Sequence, residues 1–135
     1  MSTFNDTNEL YAVMDDLWKR IKADEKMSQN LLASKLVVRF KYLDPSGQLT
    51  IDGSDGEELK VVFGEYDKKP DVEMTMKSEV ANQFWLGGLN VPMALIDGRI
   101  KSRGAVHRAL ALLPVVKPAF QIYPNVVQAF KDNAA

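Results

Sequence analysis

From Leu10 to Ile21 the apolar residues Leu10, Val13, Met14, Leu17, Trp18 and Ile21 recur at steps of three and four. Asp15, Asp16, Lys19, Arg20 and Lys22 fill the other sides, so the spacing predicts an amphipathic helix with one apolar stripe, capped by Asp6 or Thr7. Packing on a sheet accounts for such a helix. A membrane-surface helix is the sharper alternative, and the mixed charge on its polar face argues against it. A shorter helix is predicted over 25–32. At Leu36 the period changes to two: Leu36, Val38, Phe40 and Tyr42 share one face, with Arg39 and Lys41 on the other. Asp44-Pro45-Ser46-Gly47 has the residues of a type I turn. Leu49 and Ile51 then oppose Gln48, Thr50 and Asp52, Gly53-Ser54-Asp55-Gly56 turns the chain again, and Leu59, Val61 and Phe63 supply a third buried face. The expectation is an antiparallel meander, wet on its outer side. A polar connection over 64–69 follows.

The next stretch begins at Pro70. Val72, Met74 and Met76 alternate with Glu73, Thr75 and Lys77 as a fourth strand, and Ser78 stands where a helix N-cap would. Val80, Ala81, Phe84 and Trp85 fall at helical spacing until Gly87-Gly88 ends the turn. A second short helix is expected near Pro92, and Asp97-Gly98 turns the chain into a last strand, Arg99 to Arg103. Beyond Gly104, Val106, Ala109, Leu110 and Leu113 form another helical stripe, which Pro114, Pro118 and Pro124 interrupt. A proline inside a helix costs roughly 3 kcal/mol, so two or three short helical pieces are expected rather than one rod. Jointed apolar pieces laid on a sheet can separate slightly from it and leave a cavity.

The order and spacing of several pieces resemble the sterol carrier protein two family of lipid-transfer domains. They are Pro70-Asp71-Val72, Met76-Lys77-Ser78, Gly87-Gly88-Leu89-Asn90, Met93-Ala94 and Asp97-Gly98-Arg99-Ile100-Lys101 through Gly104, with Asp44-Pro45-Ser46-Gly47 and Ile51-Asp52-Gly53 fitting the family's hairpin. The resemblance implies one α+β domain over residues 1–135, with an N-terminal helix, a three-stranded meander, a crossover to two further strands with short helices between them, and C-terminal helices. The five-stranded sheet would be covered on one face by helices enclosing a lipid tunnel. Candidate lining residues are Phe84, Trp85, Leu89, Met93 and Ile96 from the central stretch and Leu110, Leu113, Val116 and Phe120 from the tail, with Met74 and Met76 as a sheet-side floor. The same residues would also serve as plain core, and periodicity does not separate the two. The implied function is a non-catalytic intracellular carrier of a sterol, fatty acyl chain, acyl-CoA or quinone-like lipid. The alternatives are a module presenting a lipid-like intermediate to a partner enzyme, or a small enzyme acting on a hydrophobic substrate; a homodimer is also compatible. A buried methylene is worth roughly 0.8 kcal/mol, so a sixteen-carbon chain offers about 12 kcal/mol before the costs of ordering it.

Composition and chemistry narrow this picture. With 17 basic and 18 acidic residues, the chain has no net field to attract nucleic acid or an anionic membrane surface. It has no cysteine, and its one histidine, His107, supplies no ligand pair for zinc. No cofactor or metal is implied. The oxygens of Asp44, Asp52, Asp55, Glu57 and Glu58 lack EF-hand spacing, and Ser46, Ser78 and Ser102 have no G-x-S-x-G context. Asp71 and Asp97 fit plain turns as well as a pocket mouth, and Lys101 and Arg103 fit a solvated strand face as well as a site for an anionic head group. No run reaches transmembrane length, the N-terminal residues have no apolar signal core and the C-terminus lacks a Ser-Lys-Leu address. No stable membrane insertion and a cytoplasmic location are therefore expected.

Overall fold

The computed structural model describes residues 3–134. Met1, Ser2 and Ala135, which enter the targeting expectations above, lie outside the described residues. The first helix, α1 (Thr7–Ala23), is capped by Asp6, whose carboxylate accepts the Glu9 N–H at 2.9 Å. Every residue of its predicted stripe is buried, which places that face inside the protein. Asp24 ends α1 and caps α2 (Glu25–Ser34) by accepting the Met27 N–H.

The sheet follows as β1 (Val37–Leu43), β2 (Gly47–Asp52), β3 (Lys60–Phe63), β4 (Val72–Lys77) and β5 (Ile100–Gly104). Its spatial order is β3-β2-β1-β4-β5, with β1 and β4 parallel and every other pair antiparallel. The register aligns the apolar positions across strands: Phe40 beside Met74, and Tyr42 beside Met76, itself beside Ile100. Between β4 and β5 lie α3 (Ser78–Trp85) and α4 (Val91–Ile96), and α5 (Val106–Leu110), α6 (Leu113–Val116) and α7 (Ala119–Ala134) complete the chain. The helices cover one side of the sheet, and α1 and α7, the first and last of them, pack together.

The first hairpin passes through a cis Asp44–Pro45 peptide, and Asp44 has φ 56°. Three local expectations need correction. Ser78 is not the cap of α3: the cap residue is Lys77, and the fully buried Ser78 hydroxyl donates to the Pro45 carbonyl at 2.7 Å, tying the helix to the hairpin. Pro124 lies inside α7 without ending it. Tyr123 and Val126, either side of it, are fully buried, and tertiary burial outweighs the missing backbone bond. The prolines still divide the tail, because the α5–α6 run meets α7 at a 75° bend.

The last correction concerns the outer side of the meander, which is not wet throughout. Thr50 and Asp52 are buried there under residues 64–69. Arg39 holds that segment, donating to Thr50 Oγ1 and to the carbonyls of Tyr66 and Lys68. Asp52 accepts from the Ser54 backbone and hydroxyl and from the Tyr66 hydroxyl, and pairs with Lys68. Burial pushes the Asp52 carboxyl up, but these donors outweigh it and hold it at about 2. The unfolded chain, with a carboxyl near 3.8, binds the proton more readily. This site therefore stabilises the fold above about pH 4 and loses that contribution as pH falls toward 2. Asp52→Asn is expected to cost about 2 kcal/mol at neutral pH in urea denaturation, with the gap from wild type closing through that window. A gap unchanged with pH would place the stabilisation elsewhere. The other acidic residues near this hairpin serve the backbone, as Asp55 does in accepting from the Glu57 and Glu58 N–H groups.

Candidate functional site

The apolar core divides into two clusters. The larger joins α1, α3 and α7 to the sheet, and the smaller consists of Leu36, Val38, Val72 and Ala109. An apolar cavity whose wall draws on both opens between the sheet and its helices. Its space is about 920 Å³ including the mouth, of which about 100 Å³ admits the centre of a water molecule. It is a narrow slot rather than an open hall.

The sheet-side floor is Val38, Phe40 and Tyr42 of β1, Ile51 of β2, Met74 and Met76 of β4 and Ile100 of β5. Period-two alternation puts these side chains on one face, and the register sets them in rows. The roof comes from Trp18 of α1, Leu31 and Ser34 of α2, Ala81, Phe84 and Trp85 of α3, and Ala109, Leu110, Leu113 and Val116 of α5 and α6, with Leu112 between them. Trp18 and Trp85 meet edge-on with centroids 5.9 Å apart, and Phe84 and Trp85 at 4.9 Å. Phe120 stands behind both, 5.3 Å from Phe84 and 6.4 Å from Trp85, against Gly87 at the end of α3.

Of the candidate residues, Phe84, Trp85, Met74, Met76, Leu110, Leu113 and Val116 come together in the wall. Phe120 supports the aromatic roof from behind, and Leu89 packs at the edge of the core. Met93 is half exposed, and Ile96 is 80% exposed. Ile96 lines a second, external groove with Pro92, Leu95, Lys101 and His107, while Ile100 and Leu110 belong to both groove and cavity. Those two side chains form the partition between them. Trp18, Leu36, Ile51 and Leu59 of the wall were missed, because each also fits an ordinary core stripe.

Among the described residues, no lysine, arginine, histidine, aspartate or glutamate lines the cavity. Burial pushes the Tyr42 hydroxyl well above its usual range, with Tyr123 and Tyr11 nearby adding to the effect. The Ser34 hydroxyl is occupied, donating to the Leu31 carbonyl and accepting the Leu36 N–H. The arrangement can bury an apolar molecule, and its wall offers no general base for proton transfer near neutral pH. Asp71 and Asp97 have structural roles: Asp71 accepts the Val37 N–H at 2.8 Å, and Asp97 accepts from the Arg99 backbone and side chain. Lys101 and Arg103 are exposed. Among the described residues no group of three or more histidine, cysteine, aspartate or glutamate side chains is placed to hold a metal ion, and no single helix is long and apolar enough to cross a membrane.

The sequence profile of the SCP-2 sterol transfer family matches residues 15–117. Among solved structures, the chain is similar to sterol carrier protein domain 2 of Helicoverpa armigera, with 22% identity and a TM-score of 0.67 over 89% of this chain and 96% of that one. It is also similar to Sterol Carrier Protein-2 from Aedes aegypti in complex with palmitate, with 16% identity and a TM-score of 0.56 over 79% and 93% of the two chains. A ubiquinone synthesis protein, UbiJ-SCP2, has 14% identity and a TM-score of 0.63 over 84% and 93%. No curated protein sequence matches.

Proposed function

Because the chain belongs to the SCP-2 sterol transfer family, we propose that it holds one lipid molecule in the cavity beneath its helices and releases it chemically unchanged. The observation that carries this reading is a continuous apolar wall, built on both faces of the gap between sheet and helices, in which the Tyr42 hydroxyl is the one ionisable group among the described residues. The palmitate in the Aedes aegypti protein supports an acyl chain or a body of similar girth as cargo. Ligand sites of drug size commonly run to roughly 300–1,000 Å³, well above the about 100 Å³ open to water centres here, so the roof rises on loading, and the joints between α5, α6 and α7 are where it does so. Flexible Met74 and Met76 adapt the floor to different cargo shapes.

Native mass spectrometry of the freshly purified protein, followed by organic extraction, tests the reading. A stoichiometric lipid adduct that a fluorescent acyl probe displaces is the expected result. A bare chain that takes up no apolar probe would refute it. A second reading, presentation of a lipid-like intermediate to a partner enzyme, is supported by the exposed Leu86, Met93 and Ile96 and by the likeness to the ubiquinone synthesis protein. It requires that lipid leave the protein faster when that enzyme is added.

A further inference from the structure

The cavity wall carries an imbalance of hydrogen-bonding groups. Trp18 is 4% exposed, and its indole N–H, closed off from water, has no acceptor among the described residues. The perpendicular ring of Trp85, 5.9 Å away, offers at most a weak π acceptor. The Trp85 indole and the Tyr42 hydroxyl line the same cavity, and neither is hydrogen-bonded to a described residue. Of these three groups, the Trp18 N–H is the one sealed from water with no partner among the described residues. A buried donor left unsatisfied costs about 1–3 kcal/mol, and that cost is recovered only when something brings it an acceptor.

Building on the carrier reading, we propose that the cavity selects lipids bearing an uncharged oxygen, a hydroxyl or a carbonyl, and that the Trp18 N–H donates to that oxygen in the loaded protein. A carboxylate would also accept, but the wall holds no cation to offset its desolvation; Lys101 and His107 lie in the external groove, beyond Ile100 and Leu110. A plain alkane would fill the same space and leave the Trp18 N–H orphaned. Rejection of a ligand that lacks the matching polar group is the stronger form of discrimination, because the site itself bears the cost.

Displacement of a neutral naphthylamine probe by a sixteen-carbon alkane, the ketone of equal length and palmitate, each delivered from cyclodextrin, tests this. The ketone is expected to bind roughly tenfold tighter than the alkane, and tighter than palmitate at neutral pH. Trp18→Phe, which keeps an aromatic ring and removes the N–H, should bring the affinities for ketone and alkane together. In the wild type the Trp18 indole N–H resonance should move downfield with the ketone and not with the alkane, a readout that does not depend on the variant folding. Equal wild-type affinities for ketone and alkane, or a preference that survives in Trp18→Phe, would overturn the proposal and leave the carrier reading standing. Failure of every chain to displace the probe would overturn both.

Discussion

Leu113→Trp is expected to abolish uptake of an apolar probe while the fold persists. Leu113 opens α6 and faces the cavity, where it is only partly buried. The larger indole would project into a slot that admits water centres over only about 100 Å³. Overfilling a packed region usually costs about 1–3 kcal/mol, but here the new ring enters space already empty, so the stability penalty falls at or below the low end. The ligand then meets a ring that fills the slot it must enter. Affinity should drop on the order of a hundredfold, read by fluorescence titration, with far-ultraviolet circular dichroism unchanged. Undiminished binding in a folded Leu113→Trp protein would move the ligand out of this cavity, and the external groove bounded by Ile96 and Lys101 would be examined next.

Gly104→Ala carries the largest expected loss of stability. Gly104 ends β5 at φ 91°, in the left-handed region that L side chains rarely adopt. A Cβ there would lie 2.2 Å from the Asp71 carbonyl oxygen and 3.1 Å from its carbon, both backbone atoms that cannot turn aside. That carbonyl accepts the Ala105 N–H, while Asp71 exchanges backbone and carboxylate bonds with Val37. Moving Asp71 therefore disturbs β1, β4, β5 and the entry to α5 together. The substitution should cost at least about 3 kcal/mol in chemical denaturation, more than left-handed strain alone. A loss under about 1 kcal/mol would mean that this junction yields easily.

The contrast between these sites explains what could be read from the chain alone. The α1 stripe, the alternation in β1 and β4 and the glycine stop at Gly87 are local patterns with one dominant physical reading, and each appears where expected. The cap of α3 was misread because serine both caps helices and ties distant segments together; the buried Ser78 hydroxyl does the second. The burial of Thr50 and Asp52 depends on a loop that returns over them, which alternation cannot foresee. Cavity residues posed the hardest case, since a side chain facing a void and one facing a neighbour have the same composition and period. Phe120 and Trp85 looked alike in sequence, and only the crossing of α7 behind α3 puts one behind the wall and the other in it.

The packing of α1 against α7 also bears on how the protein is made. Synthesis is vectorial, and the apolar face of α1 leaves the ribosome well before the helix that covers it. At about 5–20 residues per second, the stretch separating the two helices takes on the order of ten seconds to produce. During that interval Leu10, Met14, Leu17 and Ile21, all fully buried in the finished protein, lack their final cover. The nascent chain thus offers a temporary target to chaperones, and slow codons placed after β5 would prolong it.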